Sequence, residues 1–266
     1  MSIPKTITEQ CQKIRSENRR GLMTHIIVWY PDLVTSEAIA DIMIDVWVDF
    51  LEFQIPFSDP MADGPTFMHA NSVAVKNWIM IEDCFVLMQK LRQTTIIPLI
   101  FMGYYNSVFH YWIERFCEKA KESGCSGVIF PDYPIDHENH EGFLSACKKN
   151  TLDFVPVLNP AATEERVKKI ADLKPPLLYY GMRKGITGAK ATLDPDLDRN
   201  IQSLQKYFSC PIAVGWGIST PEHIRDLPPA ADIAIIWSKT TDIYNMRQSL
   251  EDVRQYATSM IEAGSV

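Results

Sequence analysis

Two carboxylates raise the first chemical question. Glu52 lies in Val48-Asp49-Phe50-Leu51-Glu52-Phe53-Gln54-Ile55, among phenylalanine and leucine. Asp63 follows in a shaped loop, Pro56-Phe57-Ser58-Asp59-Pro60-Met61-Ala62-Asp63-Gly64-Pro65-Thr66. A carboxylate among apolar neighbours is costly unless it is paired or put to use. Two carboxylates in different settings can divide general acid and base work, one shuttling protons from a half-buried position while a loop partner stays ionised. The residues alone leave two plainer readings open. Glu52 can be satisfied by neighbouring donors, and Asp59 or Asp63 can simply stabilise a turn.

Something must hold Glu52 at a mouth. Side chains alternate along a strand, so Val48, Phe50, Glu52 and Gln54 share one face. Eight short β-branched or aromatic runs recur along the chain: Thr24–Trp29, Val48–Ile55, Ile96–Met102, Gly127–Pro131, Phe154–Leu158, Leu177–Gly181, Pro211–Trp216 and Asp232–Trp237. Helical sequence separates them at roughly 30-residue spacing, the size of a βα unit. Runs such as Ile96-Ile97-Pro98-Leu99-Ile100 are apolar on both faces, as parallel strands covered by helices should be. This pattern predicts an α/β fold, a closed (β/α)8 TIM barrel formed as a single domain over residues 1–266, with active groups at the C-terminal strand ends. An extra helix from Pro4 to about Asn18 should cover the barrel floor. Helix starts are expected at Asp194-Pro195 and at Ser219-Thr220-Pro221-Glu222, the latter read as a capping box.

Composition narrows the function. The 266 residues are 46% hydrophobic and 22% charged, with a formal charge of −7. That balance fits a globular protein and offers no cationic surplus for nucleic acid. No run approaches the ~20 apolar residues of a membrane span, and no secretory signal is seen, so a cytoplasmic location is expected. Cys11, Cys84, Cys117, Cys125, Cys147 and Cys210 form no C-x-x-C pair and read as free thiols. His137-Glu138-Asn139-His140 reads as a solvated helix start rather than a zinc site, and no metal site is expected. His69, His110 and His223 read as residues that open helices. His25, in the first strand, reads as a satisfied core histidine, and Phe109-His110-Tyr111-Trp112 as a helix packing on the barrel.

The segment from Glu52 to Thr66 resembles the signature of the tryptophan synthase alpha subunit family. Further matches run in order: Tyr105-Asn106-Ser107-Val108-Phe109, Phe130-Pro131-Asp132-Tyr133-Pro134, Arg183-Lys184-Gly185-Ile186-Thr187-Gly188 and Gly215-Trp216-Gly217-Ile218-Ser219. The resemblance covers essentially the whole chain. It implies retro-aldol cleavage of indole-3-glycerol phosphate to indole and glyceraldehyde 3-phosphate in tryptophan biosynthesis. Glu52 would be the acid/base and Asp63 the acceptor for the indole N–H. Tyr179 would stand beside the substrate, Thr187 would close a loop over it, and Ile100, Ile218 and Trp216 would form apolar walls. Gly188, Gly215, Gly217, Ser219 and Ser238 would cradle the phosphate. The resemblance implies no cofactor in this chain and a pyridoxal-phosphate beta subunit as partner in an alpha2-beta2 heterotetramer. Ser58, Asp59, Pro60, Asn106, Phe109 and Pro134 match positions at or near that interface. A different phosphate-binding barrel would explain the fold but not the Glu52-to-Asp63 segment.

The chain departs from the family pattern at the substrate side. Trp237 replaces the glycine directly before Ser238, so an indole is expected to project where a phosphate cradle should be. Gln54 replaces a glycine on the Glu52 face. After strand one, Trp29 and Tyr30 stand near the mouth, where Pro-Phe and Gly-Asp-Pro elements are missing. These changes lead to an expectation of weak or lost lyase turnover with docking to the beta subunit kept, an allosteric partner rather than a source of indole.

Overall fold

The computed structural model describes residues 5–181, 193–215 and 217–265. Nine parallel strands alternate with helices: β1 Gly21–Ile27, β2 Phe50–Gln54, β3 Leu99–Met102, β4 Gly127–Ile129, β5 Asp153–Phe154, β6 Val157–Leu158, β7 Leu178–Gly181, β8 Ile212–Gly215 and β9 Ile233–Ile236. Their order is β5-β4-β3-β2-β1-β9-β8-β7-β6. The two end strands are halves of one barrel strand. Pro156 has no N–H to give to a ladder, so pairing changes sides there. The Val155 N–H donates to the Val128 carbonyl at 2.9 Å, and the Pro156 carbonyl accepts from the Tyr179 N–H at 3.0 Å. The ring thus closes through the chain itself, and each of the eight expected runs overlaps its strand, although β1 begins three residues before its run, at Gly21, and β5 one residue before, at Asp153.

Side-chain alternation divides the core in two. Inside the ring lie Met23, Ile27, Phe50, Ile100, Met102, Ile129, Val155, Tyr179, Ala213, Ile233, Ile235 and Trp237. The opposite faces, with Leu51, Phe53, Phe101, Val128, Val214 and Ile236, pack against the surrounding helices. The floor is closed by the helix Ile7–Ser16, whose Ile7, Cys11 and Ile14 join the inner cluster. The approach is close. Gly21 and Gly127 lack the Cβ atoms that would stand 2.5 Å from Ile14 and 2.7 Å from Ile7.

Helix boundaries differ from expectation in two places. The helix after β7 is Leu197–Leu204 with Asp196 as its N-cap. Asp194 instead accepts the Asp196 N–H at 2.9 Å, which turns the chain one step before the helix. At Pro221–Arg225 the cap is Thr220, accepting from the His223 N–H, rather than a box opened by Ser219. The histidines also sit otherwise. His69 lies within Pro65–Lys76 and His110 near the end of Tyr105–Tyr111. In the latter helix Phe109 and its C-cap Trp112 face outward rather than packing on the barrel. Among the described residues no helix is long and apolar enough to cross a membrane, and all six cysteines are unbridged.

Candidate active site

Register decides what surrounds Glu52. Parallel pairing of β1 with β2 sets His25 opposite Glu52 and Ile27 opposite Gln54, while β3 sets Ile100 beside Glu52. His25, Glu52 and Gln54 all point inward, and each is at most 1% exposed. A buried polar group needs a partner, and here they find one another. His25 Nδ1 lies 2.8 Å from Glu52 Oε2, and His25 Nε2 lies 2.8 Å from Gln54 Oε1. Gln54 Nε2 then donates to Asp63 Oδ2 at 2.7 Å. The result is a continuous polar chain, Glu52–His25–Gln54–Asp63, linking both carboxylates through two side chains.

Asp63 is held at its end of this chain by the helix that follows it. Pro65–Lys76 starts two residues later and buries Phe67, Ala70, Asn71 and Ala74. Its Asn71 Nδ2 donates to Asp63 Oδ2 at 3.3 Å, and the Tyr104 hydroxyl accepts the neighbouring Ala62 N–H at 2.9 Å. Asp63 is therefore buried, not a solvated loop carboxylate. Burial raises its carboxyl above the ordinary value, opposed by the Gln54 hydrogen bond and by the nearby His25. Glu52 is fully buried rather than half-buried, and its Oε1 has no hydrogen-bond partner among the described residues. That buried oxygen leaves Glu52 an acceptor position open to a group brought beside it.

Aromatic rings complete the enclosure. His25 is stacked on Phe67 at 4.8 Å between centroids and lies 5.0 Å from Trp237 on a tilted approach. Trp237 also meets Phe67 at 5.9 Å and Tyr179 edge-on at 6.0 Å. Continuing the alternation of Ile233 and Ile235, Trp237 turns into the barrel interior and stands before the His25–Glu52 pair.

The other expected site residues are spread along the rim. Gly215 ends β8 against Tyr179, where a Cβ would stand 2.9 Å from the phenol oxygen. Gly217 has φ +138. Ser219 is buried, donating its N–H to His223 Nδ1 and accepting the Tyr256 hydroxyl on its carbonyl. Ser238 opens the helix Ser238–Arg247. Ile100 is in the inner cluster, whereas Ile218 packs in the outer one. Thr187, Gly188 and Trp216 lie outside the described residues. Of the residues matched to an interface, Ser58, Asp59, Asn106 and Phe109 are exposed, Pro134 is half-buried and Pro60 is buried. Sequence reasoning passed over His25, Phe67 and Asn71 as site residues. Parity with Met23 and Ile27 points His25 inward, but its partners follow only from the register between strands.

Known proteins resemble this chain over nearly its whole length. Residues 11–264 match the family model described as tryptophan synthase alpha chain. The alpha chain of Dehalococcoides mccartyi is 35% identical over 240 residues, covering 90% of this chain and 93% of that one. The alpha chain of Aquifex aeolicus is 32% identical over 249 residues, covering 93% and 94%. Among solved structures, a chain of Mycobacterium tuberculosis tryptophan synthase superposes with a TM-score of 0.91 at 22% identity over the full length of both chains. The alpha subunit from Legionella pneumophila gives 0.87 at 25% identity, covering 97% of each.

Proposed function

The chain belongs to the tryptophan synthase alpha chain family, a family of lyases in tryptophan biosynthesis, and from that premise we propose that its barrel mouth cleaves indole-3-glycerol phosphate to indole and glyceraldehyde 3-phosphate. The observation that carries this reading is the buried polar chain joining Glu52 to Asp63. Retro-aldol cleavage needs a proton delivered to indole C3 and a proton removed from the glycerol hydroxyl as the carbon–carbon bond breaks. Glu52 can do both in turn, so the step is balanced with no net gain of protons. His25 Nδ1 lies 2.8 Å from Glu52 Oε2, close enough for a proton to pass between the two groups. Asp63 would accept the indole N–H and stabilise positive charge on the ring as C3 is protonated. Tyr179 and Ile100 would bound the ring, and Gly215, Gly217, Ser219 and Ser238 would present backbone and hydroxyl groups to the phosphate. The alpha site needs no cofactor. Pyridoxal phosphate belongs to the beta subunit, which we propose as the cytoplasmic partner in an alpha2-beta2 assembly, docked through Ser58, Asp59, Asn106, Phe109 and Pro134, with the buried Pro60 shaping the loop that carries the first two.

Trp237 favours a second reading. With its indole already against His25, Phe67 and Tyr179, the chain would bind and activate a beta subunit while making little indole itself. Steady-state indole release from indole-3-glycerol phosphate separates the two. Turnover that is lost in Glu52→Gln supports the lyase reading. Absent turnover, with stimulation of serine-plus-indole condensation by an added beta subunit, supports the second. Neither activity would refute both.

A further inference from the structure

The tryptophans of this chain stand where the backbone calls for glycine. Five of the six lie in described positions, and Trp29, Trp47, Trp78 and Trp112 have φ of +68, +67, +58 and +74. In that region the Cβ of an L-residue crowds the following carbonyl, and for a bulky side chain it is a genuine outlier. The fifth, Trp237, has φ −105 and ψ −100, outside the helical and extended wells. Bulk or aromaticity is not the cause, because none of the 12 phenylalanines or 10 tyrosines has a positive φ.

The local motifs identify the missing residue. A helix commonly ends with a left-handed glycine whose N–H bonds back two carbonyls into the last turn. This chain does so at Gly124, with φ +85 and N–H to the Lys121 carbonyl, followed by Cys125 to Ala120. Trp47 repeats the pattern, bonding to Ile44 and followed by Val48 to Met43, and Trp78 bonds to Val75 in the same way. Trp112 joins the helices Tyr105–Tyr111 and Ile113–Glu122, as Gly142, with φ +69, joins Glu138–Glu141 and Phe143–Lys149. The other non-glycine residues with positive φ, Asn18, Thr151, Lys174 and Gln248, are polar. The side chains give no compensation. Trp47, Trp78 and Trp112 are 77%, 88% and 74% exposed.

We propose that Trp29, Trp47, Trp78, Trp112 and Trp237 stand at glycine positions, and that the codon translated as tryptophan at these positions is read as glycine in the cell that makes the protein. One codon accounts for the whole set: UGA is assigned to tryptophan in some genetic codes and to glycine in others. The inference stands on backbone geometry and is independent of the lyase reading, but it bears directly on it. Glycine at 237 removes the indole before the carboxylates, so the second reading loses its support. Peptide masses of the protein isolated from its own cells test the residue itself. Glycine at 47, 78, 112 and 237 is expected, and tryptophan there overturns the proposal. The recombinant chain tests the conformational premise separately. The triple variant Trp47→Gly/Trp78→Gly/Trp112→Gly should melt higher, by about 6 °C, because three left-handed strains are relieved and almost no packing is lost. A Tm unchanged or lowered in that variant overturns the premise and the proposal with it.

Discussion

Replacing Trp237 by glycine in the chain as written should weaken the fold and open the site in the same stroke. The indole is only 4% exposed and lies against His25, Phe67 and Tyr179. Truncating a buried tryptophan costs about 3–5 kcal/mol in lost transfer energy and residual cavity. For a chain of this size that is a fall in Tm of roughly 6–20 °C. The vacated space has the shape of an indole, bounded by the same rings. Free indole should therefore refill it. A ligand at a hundred times its Kd returns about 2.7 kcal/mol, enough to recover most of the loss. Thermal unfolding of both proteins with and without indole reads the two effects together. The reasoning is refuted if the variant loses less than about 1 kcal/mol, a cost too small for a truncated core tryptophan, or if indole protects both proteins equally.

Three further outcomes follow from the same interior. His25→Leu leaves Glu52 Oε2 and Gln54 Oε1 buried without their partner, at about 1–3 kcal/mol each; a urea midpoint unmoved from the parent would contradict the polar chain. Asp63 has a folded-state carboxyl raised above 3.8 by burial, so the folded protein keeps a proton that the unfolded chain releases. Stability should then fall as pH rises from 3.8 through the raised value, and Asp63→Asn should flatten that slope; parallel stability curves for the two proteins across this window would count against it. Gly215→Ala sets a methyl 2.9 Å from the Tyr179 oxygen and 3.3 Å from Ile235. It should cost about 1–3 kcal/mol by overpacking, visible in thermal melts, and a neutral result would mean Tyr179 moves freely.

Much of this architecture is legible in the residues, and what escapes has a common cause. Strand parity places Glu52 and Gln54 on one face, and apolar runs separated by helical sequence locate all eight barrel strands. Parity also points Trp237 inward, beside Ile233 and Ile235, once the alternation is followed to the strand end. What parity cannot supply is pairing between strands distant in sequence. His25 is 27 residues from Glu52, and only the β1–β2 register makes it a partner. The burial of Asp63 is likewise non-local, since it depends on the helix Pro65–Lys76 folding back over the mouth. The glycine-like conformations at Trp47, Trp78 and Trp112 escape for a different reason. Each occurs at a helix end, where a bulky residue in the sequence gives no hint that the backbone must turn left-handed.

The polar chain has a consequence for how the barrel assembles. Met23, Ile27 and Phe50 are interchangeable oily surfaces, and an interior made only of such residues would let β1 slide along β2 with little penalty. His25, Glu52 and Gln54 remove that freedom. A slip of one residue puts His25 on the opposite face from Glu52 and Gln54. A slip of two keeps them inside but sets His25 opposite Phe50 or Gln54, leaving the Glu52 carboxylate opposite an apolar side chain with nothing to bond. One alignment alone satisfies every member of the chain. The groups proposed to move protons in the finished enzyme thus also act as a ruler that fixes how β1 and β2 align.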